Sequence, residues 1–249
     1  MKVLSLNCNK FGGKASNGKG KIYDNLIAEK LIAITKFFLD TDDENVVFFN
    51  EINNANNNMK KFEELFDDNV YTIHRPTRFD EFNKNNHPYG CTIAITKNNL
   101  FWEKSYSIDL IESKSKEVSF ANKSVILKHK DTILVGIHMP YDLCYWDELL
   151  NYFSANINKK IYIIGDLNVY DEETDRKMKF NELKNRGAID VWVNIGNEDQ
   201  HITCITDKGR RLDYVLTSTI GYMSIKKMSY IDSFRLSELS DHSGIFIEL

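Results

Sequence analysis

The chain has 249 residues, 42% of them hydrophobic, which suffices for an ordinary core and excludes a disordered or fibrous protein. Its formal net charge of −4 excludes a protein that coats nucleic acid by bulk electrostatics, though not an enzyme that meets a phosphodiester through a metal and a local basic rim. No apolar run of about 18 residues could span a membrane, the first residues lack the apolar core of a secretory signal, and Cys8, Cys91, Cys144 and Cys204 stand singly without a CxxC pair. These features predict a cytoplasmic monomer with reduced thiols.

In chain order, Val3–Asn7 reads as a strand. Ile27, Leu31, Ile34 and Phe38 recur at helical spacing and predict a helix over Asp24–Leu39. Val46–Phe49 is an apolar strand that stops at Asn50 and Glu51, and Met59–Phe66 a short helix. Val70–His74 and Cys91–Thr96 are strands separated by a polar loop. Lys123–His129 and Thr132–His138 flank Lys130-Asp131 as a hairpin whose turn lacks the favoured glycine. Tyr145–Ile157 is helical. Ile161-Tyr-Ile-Ile-Gly165 is a strand with both faces covered, which places Asp166 and Asn168 on one face at its carboxyl end. Lys177–Arg186 is a helix stopped by Gly187. Arg211–Leu216, Ile225–Tyr230 and Gly244–Glu248 complete the strands. No repeat, linker or Pro/Ser-rich boundary appears, so residues 1–249 are read as one α/β domain with mixed sheets.

Polar residues gather where strands end: Asn7 and Asn9, Glu51, His138, Asp166 and Asn168, then Asp213 and the Ser240-Asp241-His242 run. Each could be turn chemistry alone. Together they describe one convergent site. Glu51 and Asp241 are hard oxygen ligands suited to Mg²⁺ or Mn²⁺. Histidines beside carboxylates suit proton transfer near neutral pH. A hard cation beside a His–Asp pair is apparatus for attacking a phosphate ester with water.

The ordered set LSLN, FFNE, GIHMP, IIGDLN, RLDY and LSDH resembles the endonuclease/exonuclease/phosphatase superfamily. The resemblance covers essentially the whole chain. It implies a four-layer α/β sandwich, two mixed β-sheets packed face to face with helices outside. It also implies a Mg²⁺- or Mn²⁺-dependent phosphodiesterase, with DNA as the favoured substrate. A phosphatase, a sphingomyelinase-type enzyme, or a non-catalytic binding module are the alternatives.

Carried over, Asn7 would hold the metal or orient the phosphate, Glu51 would be the principal metal ligand and Asp241 a second. Asp166 would align or deprotonate the attacking water, and Asn168 would hydrogen-bond phosphate and water. His242 would act at the phosphate, oriented by Asp213. His138 would contact phosphate or protonate the leaving oxygen, although a buried, hydrogen-bonded histidine would fit too. Asn50 replaces the usual Gln before the metal Glu. Asn9 replaces an Asp of many abasic-site enzymes, and His138-Met-Pro140 replaces their Asn-x-Tyr-x-Pro; both changes point away from abasic-site repair.

The glycine- and lysine-rich stretch from Gly13 to Gly20 nearly spells a phosphate-binding loop but lacks the hydroxyl that follows its lysine. It is read as a loop beside the site, carrying Lys10, Lys14, Lys19 and Lys21. Arg75, Arg78, Lys84 and His87 read as substrate rim or plain surface. His74, His129 and His201 have no partner that sequence names, and Val191-Trp192-Val193 reads as core or sheet edge.

Overall fold

A computed structural model describes residues 1–13, 23–52, 58–76, 91–98, 101–105, 123–169, 174–205 and 209–249. Lys14, Lys19, Lys21, Arg78, Lys84 and His87 lie outside the described residues.

Twelve strands form two six-stranded sheets. The first contains β1 (Lys2–Asn7), β2 (Val46–Ile52), β3 (Tyr71–His74), β4 (Cys91–Lys97), β11 (Lys227–Ile231) and β12 (Gly244–Glu248), in the order β11-β12-β1-β2-β4-β3. The second contains β5 (Glu103–Ser105), β6 (Ser124–His129), β7 (Thr132–His138), β8 (Lys160–Asp166), β9 (Ile189–Asp190) and β10 (Asp213–Thr217), in the order β5-β6-β7-β8-β10-β9. Each sheet has one parallel pair at its centre, β1 with β2 and β7 with β8, and antiparallel pairs elsewhere. Both sheets are therefore mixed, as the irregular alternation of strands and helices predicts.

Strand alternation assigns the core to three apolar layers. Val3, Val46, Phe48, Tyr162, Ile164 and Val215 point between the sheets. Leu4, Val47 and Phe49 point outward under the helix Asn25–Asp40, with Met59 and Phe62 of a second helix. Ile161, Ile163 and Leu216 point outward on the other side, under the helices Leu143–Ala155 and Thr174–Asn185. The result is helix, sheet, sheet, helix: a four-layer α/β sandwich. Each fully buried Phe, Ile or Leu contributes about 1.5–3 kcal/mol. Gly136 lets the sheets close, because a Cβ there would stand 2.0 Å from the Phe48 ring.

The expected first helix, the hairpin at Lys130-Asp131 and the core position of Val191 are present, and some details and boundaries differ. The helix Asn25–Asp40 is capped by Asp24, which accepts from the backbone N–H groups of Leu26 and Ile27. Its buried stripe is Ala28, Leu31, Ile32, Thr35 and Leu39; of the Ile27–Leu31–Ile34–Phe38 row, Leu31 is buried, Ile27 and Phe38 pack partly buried against the same core, and Ile34 is 38% exposed. Packing against a sheet rather than a single helix selects the broader face. The hairpin turn at Lys130-Asp131 forms without glycine, with Lys130 taking a φ of 52°. The strand predicted from Arg211 begins at Asp213. Val191-Trp192-Val193 forms a helical turn after β9.

Candidate active site

The topology sends every sequence-selected residue to one end of the sandwich. Asn7, Glu51, His138 and Asp166 stand at the carboxyl ends of β1, β2, β7 and β8. Asp213 opens β10, and Asp241 and His242 precede β12. Because β10 and β12 run antiparallel to their neighbours, their starts meet the other strands' ends. His138, Asp166 and Asp213 lie in one row of the second sheet, and Asn7 pairs with Asn50 in the first.

Side chains then cross between the sheets. The Asn7 amide donates to Asp166 Oδ2 at 3.0 Å and stands 3.4 Å from His242 Nε2. The Asn7 side-chain oxygen accepts from the Asn9 backbone N–H at 3.0 Å, which fixes the amide's orientation. His242 Nδ1 lies 2.8 Å from Asp213 Oδ2. The Ser240 hydroxyl donates to the Asn7 carbonyl at 2.5 Å and accepts from the His242 N–H at 3.1 Å, tying the last motif to the first strand. On the open side, His138 Nε2 is 3.4 Å from Glu51 Oε1 and 3.7 Å from Asp166 Oδ2.

Two of these residues sit on strained backbone. Glu51 has φ 59°, where β2 loses register between Phe49 and Ile52, and Asn168 has φ 50°. Asn168 is therefore not a strand residue sharing a face with Asp166. It occupies a turn past β8, where its N–H donates to Asp166 Oδ1 at 2.9 Å and its amide to the Met139 carbonyl at 3.0 Å. Left-handed backbone at non-glycine residues is held only where surroundings over-determine it, and it clusters at working sites. Gly165 is needed one residue earlier: its φ is 141°, and a Cβ would lie 2.1 Å from the Ile137 carbonyl oxygen.

Burial and charge split the titrating groups. Burial pushes the Asp166 carboxyl up, and the charges of Asp213 and Glu51 push the same way against His242. Burial opposes charge on His242, but the adjacent Asp213 carboxylate overrides it and raises that imidazole well above 6.5. His138 goes the other way, down to about 3, through burial and the Lys123 ammonium. Burial works against the Glu51 carboxylate, yet His138, His242, Lys10 and the Asn7 amide hold it near 2.

Lys123 is the residue that sequence reading missed. It is buried beside β6, its carbonyl accepts from the His138 N–H at 2.8 Å, and its charge acts on His138, Glu51 and Asp166. A lysine at a strand's start reads as surface; only the packing of β4 and β7 around it buries it. Cys204 is a second: its thiol lies within 4.8 Å of ligand atoms of both Asp241 and His242. Asn9, by contrast, is spent on structure, its amide donating to the Gly13 carbonyl at 2.7 Å. Among the expected rim groups, Arg75 pairs with Glu63.

The donor set fits a hard divalent cation. Glu51, His138 and Asp166 offer ligand atoms that lie within 4.8 Å of one another. Two carboxylates this close repel, which is part of why Asp166 is raised, and a cation relieves that repulsion. Asp241 groups instead with Cys204 and His242; among the described residues no such three-residue group contains both Glu51 and Asp241.

No known family model matches the sequence, and no curated protein matches it. Solved structures do. An AP endonuclease from Archaeoglobus fulgidus superposes over 100% of this chain and 99% of its own, with a TM-score of 0.69 and 16% identity. The 3′ phosphatase NExo from Neisseria, bound to product DNA hairpin, covers 100% and 99%, with a TM-score of 0.67 and 12% identity. An AP endonuclease from Leishmania major covers 99% and 86%, with a TM-score of 0.68 and 14% identity. The chain therefore has the same four-layer α/β sandwich fold as these structures.

Proposed function

We propose that the protein is a metal-dependent phosphodiesterase that hydrolyses DNA, with residues 1–249 as one catalytic domain. The observation that carries this reading is the polar run Asp213, His242, Asn7 and Asp166, in which His242 is bonded to Asp213 and Asn7 to Asp166, spanning both sheets beside the Glu51–His138–Asp166 group. Such a run has no packing purpose that apolar residues would not serve better. The neighbours with the same fold include a DNA-bound phosphatase and AP endonucleases.

Glu51, supported by Asn7, would hold Mg²⁺ or Mn²⁺, with Asp241, which groups apart from Glu51, reaching it only through a water. When bound, such an ion neutralises charge on a phosphate oxygen and acts as a Lewis acid. Asp166, fixed beside the Asn168 N–H and the Asn7 amide, would align or deprotonate the attacking water. Asn168, fixed by Asp166 and Met139, orients that water. His242 is cationic and fixed by Asp213, so it donates to the phosphate as charge builds there. His138, neutral in the free site, contacts the phosphate. Lys123 adds a fixed positive charge behind them.

Plasmid DNA, an abasic oligonucleotide, RNA, sphingomyelin and inositol phosphates, each with Mg²⁺ or Mn²⁺ and again with excess EDTA, test the proposal. DNA should be cleaved only with metal. Undiminished cleavage in EDTA overturns the metal reading, and turnover restricted to lipid or inositol phosphates hands the site to a phosphatase- or sphingomyelinase-type enzyme.

A further inference from the structure

Beside the site lies a cavity of about 390 Å³ lined by Trp192, Glu198, Gln200, His201, Ile202 and Arg235. Three rings build its wall. His201 stacks on Tyr230 with centroids 4.7 Å apart and planes within 7°, and Trp192 leans on both at 5.0 and 4.6 Å. Tyr230 does not line the cavity, so the stack presents His201 and Trp192 to it. The rings are held from behind by polar contacts: the Trp192 Nε1–H donates to the Glu198 carbonyl at 2.9 Å, the Tyr230 hydroxyl donates to the Asp213 carbonyl at 2.7 Å, and His201 Nε2 lies 3.3 Å from Asp232 Oδ1.

The cavity is joined to the candidate active site by short links. Arg235 Nε donates to the Ser243 hydroxyl at 3.2 Å, and Ser243 follows His242 directly. The Ser243 N–H donates to the Thr203 carbonyl at 2.7 Å, two residues after His201, and Cys204 bridges to His242. The cavity's Arg235 and Ile202 are thus one bonded or chain neighbour away from the strand pair that carries Cys204 and His242. The cavity's chemistry suits a base more than a phosphate. It offers flat rings and Ile202 for a face, Gln200 and Glu198 for a polar edge, and a carboxylate that repels an anion.

We propose that this cavity is a base-stacking subsite, which takes one unpaired nucleobase flanking the scissile phosphate, with Arg235 at its rim toward the backbone. The proposal rests on the nuclease reading and narrows it, to substrates with a single-stranded or frayed nucleotide beside the cleaved bond. Stacking on aromatic side chains tolerates any base, so the subsite selects strandedness rather than sequence.

The test uses the full chain and exploits its three tryptophans, of which Trp102 and Trp146 are buried at 5% and 0% exposure. In EDTA, a short single-stranded DNA should saturably quench the half-buried Trp192 indole, whereas a sugar-phosphate strand without bases should not. Trp192→Leu should remove the quench and lower kcat/KM on single-stranded DNA by about 10- to 100-fold, mainly through KM. That loss should shrink on the base-less strand, and Trp192→Phe should restore most of it. Equal cleavage of single-stranded DNA by wild type and Trp192→Leu, or equal quenching by the base-less strand, overturns the subsite and leaves the nuclease reading intact. Saturable, base-dependent quenching without any DNA hydrolysis supports the subsite and overturns only the nuclease reading.

Discussion

The two histidines at the mouth of the sandwich occupy opposite environments. His242 is gripped: its Nδ1 faces Asp213 at 2.8 Å, its backbone is held by Ser240, and its Nε2 looks at Asn7 and Asp166. His138 is loosely placed: its nearest charged partners are 3.4 and 3.7 Å away, and its buried Nδ1 has no hydrogen-bond partner among the described residues. Burial disfavours charge on both. A carboxylate at hydrogen-bond distance overrides it at His242, while the Lys123 ammonium reinforces it at His138. One fold thus keeps a cationic imidazole and a neutral one a few ångströms apart, each joined to Asp166. The lesson is that residue type and strand-end position do not fix a histidine's role. Its nearest charge does.

The sharpest way to break this contrast is to remove the gripped ring. His242→Ala should lower turnover by ~10²–10⁴-fold while leaving Mn²⁺ affinity nearly unchanged in a calorimetric titration. Loss of metal binding in that variant would mean that His242 is a ligand, and that the division of labour is wrong. Asp213→Asn keeps the ring but removes the charge that holds it, and should cost less, about 10- to 100-fold. His138→Gln should cost less again, about 10-fold or under, since no fixed partner aligns that ring before substrate arrives. Equal losses at His138 and His242 would show that substrate closes the difference.

Direct titration sharpens the comparison further. In metal-free protein, ¹H–¹⁵N spectra should show His242 still protonated well above 6.5 and His138 neutral down to about 3. Lys123→Met should move the His138 midpoint upward by about one unit or less, with little change at His242. An unmoved His138 would leave burial, with the His242 and Lys10 charges, as the cause.

The smallest effect is on stability, and the two rings act on opposite limbs. The His242 contribution is complete below its unfolded value near 6.5 and fades as pH rises through its raised folded value. The His138 contribution is complete above 6.5 and fades as pH falls toward about 3. Chemical denaturation of the EDTA-treated protein from pH 4 to 9 should therefore show the acid limb flatten in His138→Gln and the alkaline limb flatten in His242→Gln, each against wild type. A change in the wrong limb would reverse the assignment.

Much of this was legible in the chain itself. Alternation of β-branched and aromatic residues gave β1, β2, β7 and β8 their strand character, because a strand buried on both faces must be apolar at every position. Polar residues that interrupt such strands at their ends marked Asn7, Glu51, His138 and Asp166, since nothing in the local pattern favours them there. Strand-end position put Asp213 and His242 in the set, and the RLDY and LSDH resemblance implied that one orients the other; in the structure they lie 2.8 Å apart. What only tertiary structure decided is pairing and charge. The short strands β5 and β9 carry too few residues for a periodic signal and exist only because neighbours offer hydrogen bonds. Asn168 leaves the strand because a turn at φ 50° satisfies Asp166 and Met139. Lys123 becomes part of the site because packing buries a lysine that sequence would place in water, and His138 is kept neutral first by its own burial and then by that ammonium. A residue's chemistry is written in its side chain, but its ionisation is set by charges brought near from positions dozens of residues away.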